Sequence, residues 1–160
     1  MGNDGDTAEF AVATIWRWWT TMGHQVYPDA TTLLITADAG GSNGYRLRLW
    51  KKELAALAET TGLTITVTHM PPGTSKWNRI EHRLFSHITK NWAGEPLINL
   101  ETMLNFIRTT KTATGLRVRA SLKTRHYSTG VKPSSQEMNS VNLVAHKVLP
   151  NWNYTIAPRN

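Results

Sequence analysis

The sequence predicts an α/β domain with parallel strands and helical crossovers, on three observations. Helical and strand patterns follow one another as helix, strand, helix, strand, helix, helix, the order that places parallel strands under crossover helices. Leu33-Leu34-Ile35 is a short continuous apolar run, the pattern of a strand buried on both faces. Hydrophobic residues make up 40% of the 160 residues, enough to build a packed core.

The elements follow in order. Asp6-Thr7-Ala8-Glu9 has capping-box spacing, with Asp6 as the N-cap and Glu9 reaching back. Ala8, Ala11, Val12, Ile15, Trp19 and Met22 then recur at helical spacing, and Gly23 is placed to stop the helix. A strand is expected over 31–37, followed by a glycine-rich loop from Ala39 to Gly44. The next helix is expected over 45–60, with Leu47, Trp50, Leu54, Leu57 and Ala58 inward and Gly62 as its stop. Residues 63–70 alternate, Ile65 and Val67 on one side and threonines on the other, which predicts a second strand. Pro71-Pro72-Gly73 is a rigid turn. Two more helices are expected, over 77–91 and 100–110. Two parallel strands make a poor sheet, so the pattern reads as half of an α/β domain.

From about Ala113 the composition changes. Arg117, Arg119, Lys123, Arg125, His126 and Lys132 crowd a short span with little acid to balance them. Ser134 and Glu137 are spaced to cap one more short helix, and Trp152-Asn153-Tyr154-Thr155-Ile156 is expected to dock back on the body. The chain therefore divides into a partial catalytic domain over 1–112 and a basic C-terminal extension over 113–160.

Composition narrows the partners. A net charge of +7 and a pI near 10.0 favour a polyanion, of which nucleic acid is the commonest. Cysteine is absent, which excludes disulfides, thiolate metal sites and a cysteine nucleophile. No apolar run reaches about 18 residues and the N-terminus lacks a signal-peptide pattern, so no membrane span is expected and the expected compartment is cytoplasmic.

Two carboxylates carry the chemical reading. Asp38 follows the apolar strand, and ligands of open α/β sheets bind at the C-terminal ends of strands; an aspartate before glycines also caps turns. Glu81 falls four residues after Trp77 and four before Phe85, on the stripe Trp77, Ile80, Leu84, Phe85 and Ile88, and so is expected to face the core. A buried carboxylate becomes protonated, ion-paired (Arg46 or Lys76 are within the sequence neighbourhoods that offer partners) or metal-bound. Paired, Asp38 and Glu81 offer hard oxygen ligands suited to Mg²⁺ or Mn²⁺ and to phosphodiester chemistry. Rival motifs are weaker. Gly40-Gly41-Ser42-Asn43-Gly44 lacks the Gly-Lys-Ser/Thr of a phosphate-binding loop, and His82 and His87, five apart, do not share a helix face for zinc.

The runs from Leu33 to Gly44 and from Pro71 to Ser86 closely resemble the Rhodopirellula-type DDE transposase family, and the Pro-Pro turn followed by Asn78-Arg79-Ile80-Glu81 is similar to mariner-like transposases. Asp6 to Ala11 and Trp152 to Ile156 look like the same family. The resemblance implies an RNase H-like (ribonuclease H-like) fold and metal-dependent DNA cutting and joining by three acidic residues. Asp38 matches the second acid and Glu81 the third. It further implies Mg²⁺ or Mn²⁺ as cofactor, and DNA (insertion-sequence ends and target) as partner, with full-length transposase or a second copy as protein partners in a bacterial, nucleoid-associated setting. Asn43, Lys76, Trp77, Arg79 and Arg83 are the expected DNA contacts. The family's first acid lies upstream of the segment matching Asp6 to Ala11, where only Asp4 and Asp6 are available. The chain is therefore expected to be a truncated transposase, incomplete at its N-terminus and inactive alone, with a DNA-binding or transposase-interfering fragment as the alternative.

Overall fold

The computed structural model describes residues 6–159, the side chain of Ser75 excepted. In chain order the elements are α1 (Ala8–Trp18), prolonged by a π-helical turn Trp19–Gly23 and a last α-turn His24–Val26; β1 (Thr32–Asp38); α2 (Arg48–Thr61); β2 (Thr64–Met70); a π-helical turn Glu81–Phe85 running into α3 (Ser86–Asn91); α4 (Leu100–Thr109); α5 (Ser135–Asn139); β3 (Leu143–Ala145); and β4 (Asn153–Ile156). They fall into two compact units, residues 73–126 in one and residues 6–72 with 127–159 in the other.

The second of these is built on a four-stranded mixed sheet in the order β1-β2-β4-β3. β1 and β2 run parallel, with Leu33 opposite Ile65, Ile35 opposite Val67 and Asp38 opposite Met70. α2 is their crossover, and β4 joins antiparallel on the far side of β2, Tyr154 against Val67 and Ile156 against Ile65. The expectation of only two strands is therefore corrected: residues beyond 113 supply the other two, in pieces of three and four residues. Period-two patterning cannot stand out over so short a stretch.

One face of this sheet carries the core. Ile65, Val67, Tyr154 and Ile156 are buried there beneath Ala8, Val12, Trp50, Leu54, Leu57 and Ala58 of α1 and α2. The expectation that β1 is buried on both faces fails. Its residues alternate, and Leu34, in the middle of the apolar run, is 65% exposed on the uncovered face. On that face Thr66 and Thr155 hydrogen-bond side chain to side chain at 3.0 Å.

The helix ends also correct local expectations. Thr7, not Asp6, caps α1, its hydroxyl accepting from the Phe10 N–H at 3.2 Å; the register moves by one residue because Thr7 holds the extended backbone that a cap requires. Gly23 does not stop the helix, which continues to Val26. Its backbone is helical, and its lack of a side chain matters sterically: a Cβ there would lie 2.7 Å from Cε3 of Trp19. In α2 the inward residues are Leu49, Trp50, Leu54, Leu57 and Ala58, while Leu47 lies at the cap and is exposed. Gly62 does end α2, in the left-handed region at φ 73°, its N–H bonded to the Ala58 carbonyl at 2.8 Å. Ser134 and Glu137 form the expected capping box of α5, and Lys52 of α2 ties that helix down through a 2.7 Å ion pair to Glu137. That pair and the cap hold the Glu137 carboxyl down to about 2.

The unit of residues 73–126 is helical. Asn99 caps α4 by accepting from the Thr102 N–H at 2.8 Å. Asn91 at the end of α3 donates to the Phe106 carbonyl and to the Thr109 hydroxyl, at 2.6 and 3.0 Å, and so fastens α3 to α4. Arg108 then anchors the segment after α4 by donating to the Ala120 carbonyl at 2.7 Å. Ile88, Leu104 and Thr110 are buried among the described residues of this unit.

Candidate nucleic-acid and metal site

Asp38 is the last residue of β1 and its side chain is exposed. Its position is fixed from below, through its own backbone. His69, at the neighbouring end of β2, donates from Nδ1 to the Asp38 carbonyl at 3.0 Å. The Nε2 of His69 meets the Tyr154 hydroxyl at 3.0 Å, and that hydroxyl meets Nε1 of Trp50 at 2.9 Å. The directions are determined by chemistry. An indole nitrogen only donates and a carbonyl only accepts, so Tyr154 accepts from Trp50 and donates to a neutral His69 protonated on Nδ1. Burial lowers the His69 pKa, its largest cause, and raises that of Tyr154, both of which favour these neutral forms. A buried polar chain thus runs from the core to the strand end that carries Asp38.

The loop after Asp38 folds tightly over that strand end. Ser42 and Asn43 lie in a 3₁₀ turn spanning Gly41–Asn43, and Gly44 is buried where a Cβ would sit 3.2 Å from the Ala39 carbonyl oxygen. Asn43 is half-buried in this turn, in the same unit as Asp38.

Glu81, Lys76, Trp77, Arg79 and Arg83 belong to the helical unit. The stripe on which Glu81 was expected to face a core is largely solvent-exposed: Trp77 is 67% exposed, Ile80 41% and Phe85 46%, with only Ile88 buried. Glu81 itself is half-buried, which corrects the expectation of a core-facing carboxylate. The cause is local. Glu81–Phe85 is π-helical, the Ser86 N–H reaching the Glu81 carbonyl, so the four-residue spacing that defined the stripe does not hold there. His82 braces the turn before it through a 2.6 Å contact between its Nε2 and the Lys76 carbonyl. Lys76, Trp77, Arg79 and Arg83 are all exposed, and among the described residues of this unit Glu81 forms no ion pair with Lys76.

As ligands, both carboxylates are exposed or half-exposed hard oxygen donors, the type that divalent magnesium and manganese take. The described residues contain no cluster of three or more histidines and acids that would enclose an ion by themselves. No helix among them is long and apolar enough to cross a membrane.

What the sequence reading missed lies around His69. Tyr45 stacks on Trp152 with ring centroids 4.9 Å apart, and its edge meets His69 at 6.1 Å. Arg46 lies 5.0 Å over the Tyr45 ring. The signal for His69 was present: strand alternation puts residue 69 on the same side as Ile65 and Val67, so a histidine there had to be buried and satisfied.

Residues 1–158 match the family model described as the Rhodopirellula transposase DDE domain. No curated protein and no solved structure shows a significant match. The match spans nearly the whole chain, and the acid-bearing strand end lies within it: the chain belongs to the Rhodopirellula transposase DDE domain family.

Proposed function

We propose that this chain is the part of a DDE transposase that carries its second and third catalytic acids, Asp38 and Glu81, and that its parent activity is metal-dependent DNA strand cleavage and transfer. The observation that carries the reading is the family match over residues 1–158, with Asp38 exposed at the C-terminal end of a parallel strand. The parallel β1–β2 pair with α2 as its crossover supports an RNase H-like core. Among the described residues no strand pairs with the edge of β1 away from β2, which suits a further strand that would bring the first acid.

Asp38 and Glu81 would hold Mg²⁺ or Mn²⁺, which supplies activation of the attacking oxygen and charge stabilisation at the scissile phosphate. The chain's own residues do the rest. His69 fixes the Asp38 backbone, and Asn43, Lys76, Trp77, Arg79 and Arg83 hold the DNA. Trp77, 67% exposed between two cations, is suited to stack on a base.

A Mn²⁺ titration of the purified chain, followed by electron paramagnetic resonance, tests the carboxylates. Binding weakened in both Asp38→Asn and Glu81→Gln is expected; binding unchanged in both variants overturns the assignment. In the same preparation, Mg²⁺-dependent nicking of a supercoiled plasmid, lost in Glu81→Gln, would show that the chain is active without a first acid.

The second reading is a fragment that binds DNA, or the full-length transposase, without cutting. The exposed Arg117, Arg119 and Lys132 favour it, since phosphate contacts need only accessible cations.

A further inference from the structure

A cavity of about 330 Å³ opens at the sheet end that carries Asp38, lined by Tyr45, Arg46, Lys51, Asn151 and Trp152. Three elements converge there for reasons visible in the backbone. The His69 N–H donates to the Trp152 carbonyl at 3.0 Å, which brings the start of β4 to the end of β2. Tyr45 and Arg46 follow the glycine-rich loop directly, and Lys51 stands in the first turn of α2. The stacked Tyr45–Trp152 pair forms a rigid wall, tied to Asp38 through His69.

The charge in this cavity is unbalanced. Two of its five lining residues are cations and none is an acid. Neither cation forms an ion pair among the described residues; each rests instead over an aromatic ring, Arg46 over Tyr45 and Lys51 over Tyr154, both at 5.0 Å. Contact with a ring face compensates a cation only partly for the water it gives up. Lys51 has given up a good deal: it is half-buried, and that burial lowers its pKa. An anion entering the cavity would restore the missing charge, with the exposed Asn151 as a further donor.

We propose that Arg46, Lys51 and Asn151, against the Tyr45–Trp152 wall, form a subsite for one phosphodiester of a nucleic-acid strand on the sheet end that carries Asp38. This rests on the DNA reading above and sharpens it by placing one backbone phosphate on residues outside the family's acidic motifs. A bulky, planar wall suits a polymer whose sugar and base extend beyond the phosphate. Free phosphate shares the oxyanion chemistry, and the experiment separates the two.

The test is a fluorescence-anisotropy titration of a 20-base-pair duplex by the whole chain at several salt concentrations, for wild type and Arg46→Gln/Lys51→Gln. Melting curves establish that the variant is folded, and Lys51→Arg serves as the conservative rescue. Each phosphate contact contributes about 0.9 to the slope of log affinity on log salt. The double variant is expected to flatten the slope by about one while Lys51→Arg keeps it. An unchanged slope in a folded variant, with wild type binding DNA, overturns the subsite and leaves the DNA reading standing. Wild type that binds no duplex overturns both. Inorganic phosphate at constant ionic strength, followed at the Trp152 indole resonance, is the remaining arm: saturable phosphate binding together with an unchanged DNA slope assigns the cavity to free anions and overturns the nucleic-acid assignment.

Discussion

The two compact units differ in whether their buried apolar residues join into a core. In the sheet unit, Trp50, Leu54, Leu63, Ile65, Val67, Tyr154 and Ile156 are each no more than 1% exposed, and a continuous core joins two helices to one face of four strands. In the helical unit, Trp77, Ile80, Phe85, Leu97, Ile98 and Leu100 are all more than a third exposed, while Ile88, Leu104 and Thr110 alone are buried among the described residues. Both units leave large apolar residues at the surface, Leu34 and Trp16 among them in the first, but the extended core cluster belongs to the sheet unit. Hydrophobic stabilisation scales with area removed from water, so the difference predicts where the folding energy resides. It also gives the exposed aromatic residues of the second unit a different use: they are available to a partner, and DNA is the partner the family implies.

The largest expected effect tests that division directly. Leu54→Ala removes a fully buried side chain from the centre of the sheet-unit core, and a loss of about 2–5 kcal/mol is expected in urea denaturation. Ile80→Ala, at a residue 41% exposed in the helical unit, should cost less than about 1 kcal/mol. Comparable losses at the two positions would break the comparison, because they would mean that Ile80 also contributes to a continuous core.

How much of this was legible in the sequence follows the same division. α2 was readable because Trp50, Leu54, Leu57 and Ala58 keep helical period and Gly62 closes it. β2 was readable because Ile65 and Val67 alternate with threonines. β1 was located but misjudged: Leu33-Leu34-Ile35 looks identical whether the second face is covered or open, since the cover comes from elsewhere in the chain. β3 and β4 were hidden by their length, although the aromatic segment from Trp152 to Ile156 was expected to dock. Glu81 was found by spacing, yet its burial was overestimated, because nothing in the residues 77–88 announces that the helix widens to π geometry at Glu81–Phe85. Asp38 was correctly placed at a strand end. The cluster of Tyr45, Arg46, Lys51 and Trp152 was not, since stacking across more than a hundred residues has no local signature.

A second, smaller effect concerns the polar chain within the sheet unit. Tyr154→Phe keeps the ring and its packing but removes the hydroxyl shared by Trp50 and His69. An indole N–H and an imidazole nitrogen are then left unpaired in a core where their residues are 1% and 3% exposed. Stranded buried groups cost about 1–3 kcal/mol each, so a loss of at least about 2 kcal/mol is expected in the same denaturation series. The loss should appear as faster amide exchange in β2 and leave α4 of the helical unit unchanged; equal acceleration in α4 would erase the distinction between the units.

The gentlest probe is acid, and it acts on the same chain. Burial depresses the His69 pKa below its ordinary 6.5, so the folded protein holds the imidazole neutral while an unfolded chain takes up a proton. Between the depressed value and 6.5 the unfolded state therefore binds more protons, and stability must fall as pH falls through that window. The stabilising contribution is fully present above 6.5 and is lost below it. Protonation also has a structural consequence. A proton on Nε2 faces the Tyr154 hydroxyl, which already accepts from Trp50 and must now accept from His69 as well, leaving its own hydrogen without an acceptor. The link from the core to the Asp38 backbone loosens in step. His69→Gln should flatten the stability profile below pH 6.5, and exchange of the Asp38 and Met70 amides in wild type should accelerate on acidification before that of α4. A wild-type profile already flat over this window would mean that water reaches His69, and that the strand end under Asp38 is as open to solvent as the helical unit.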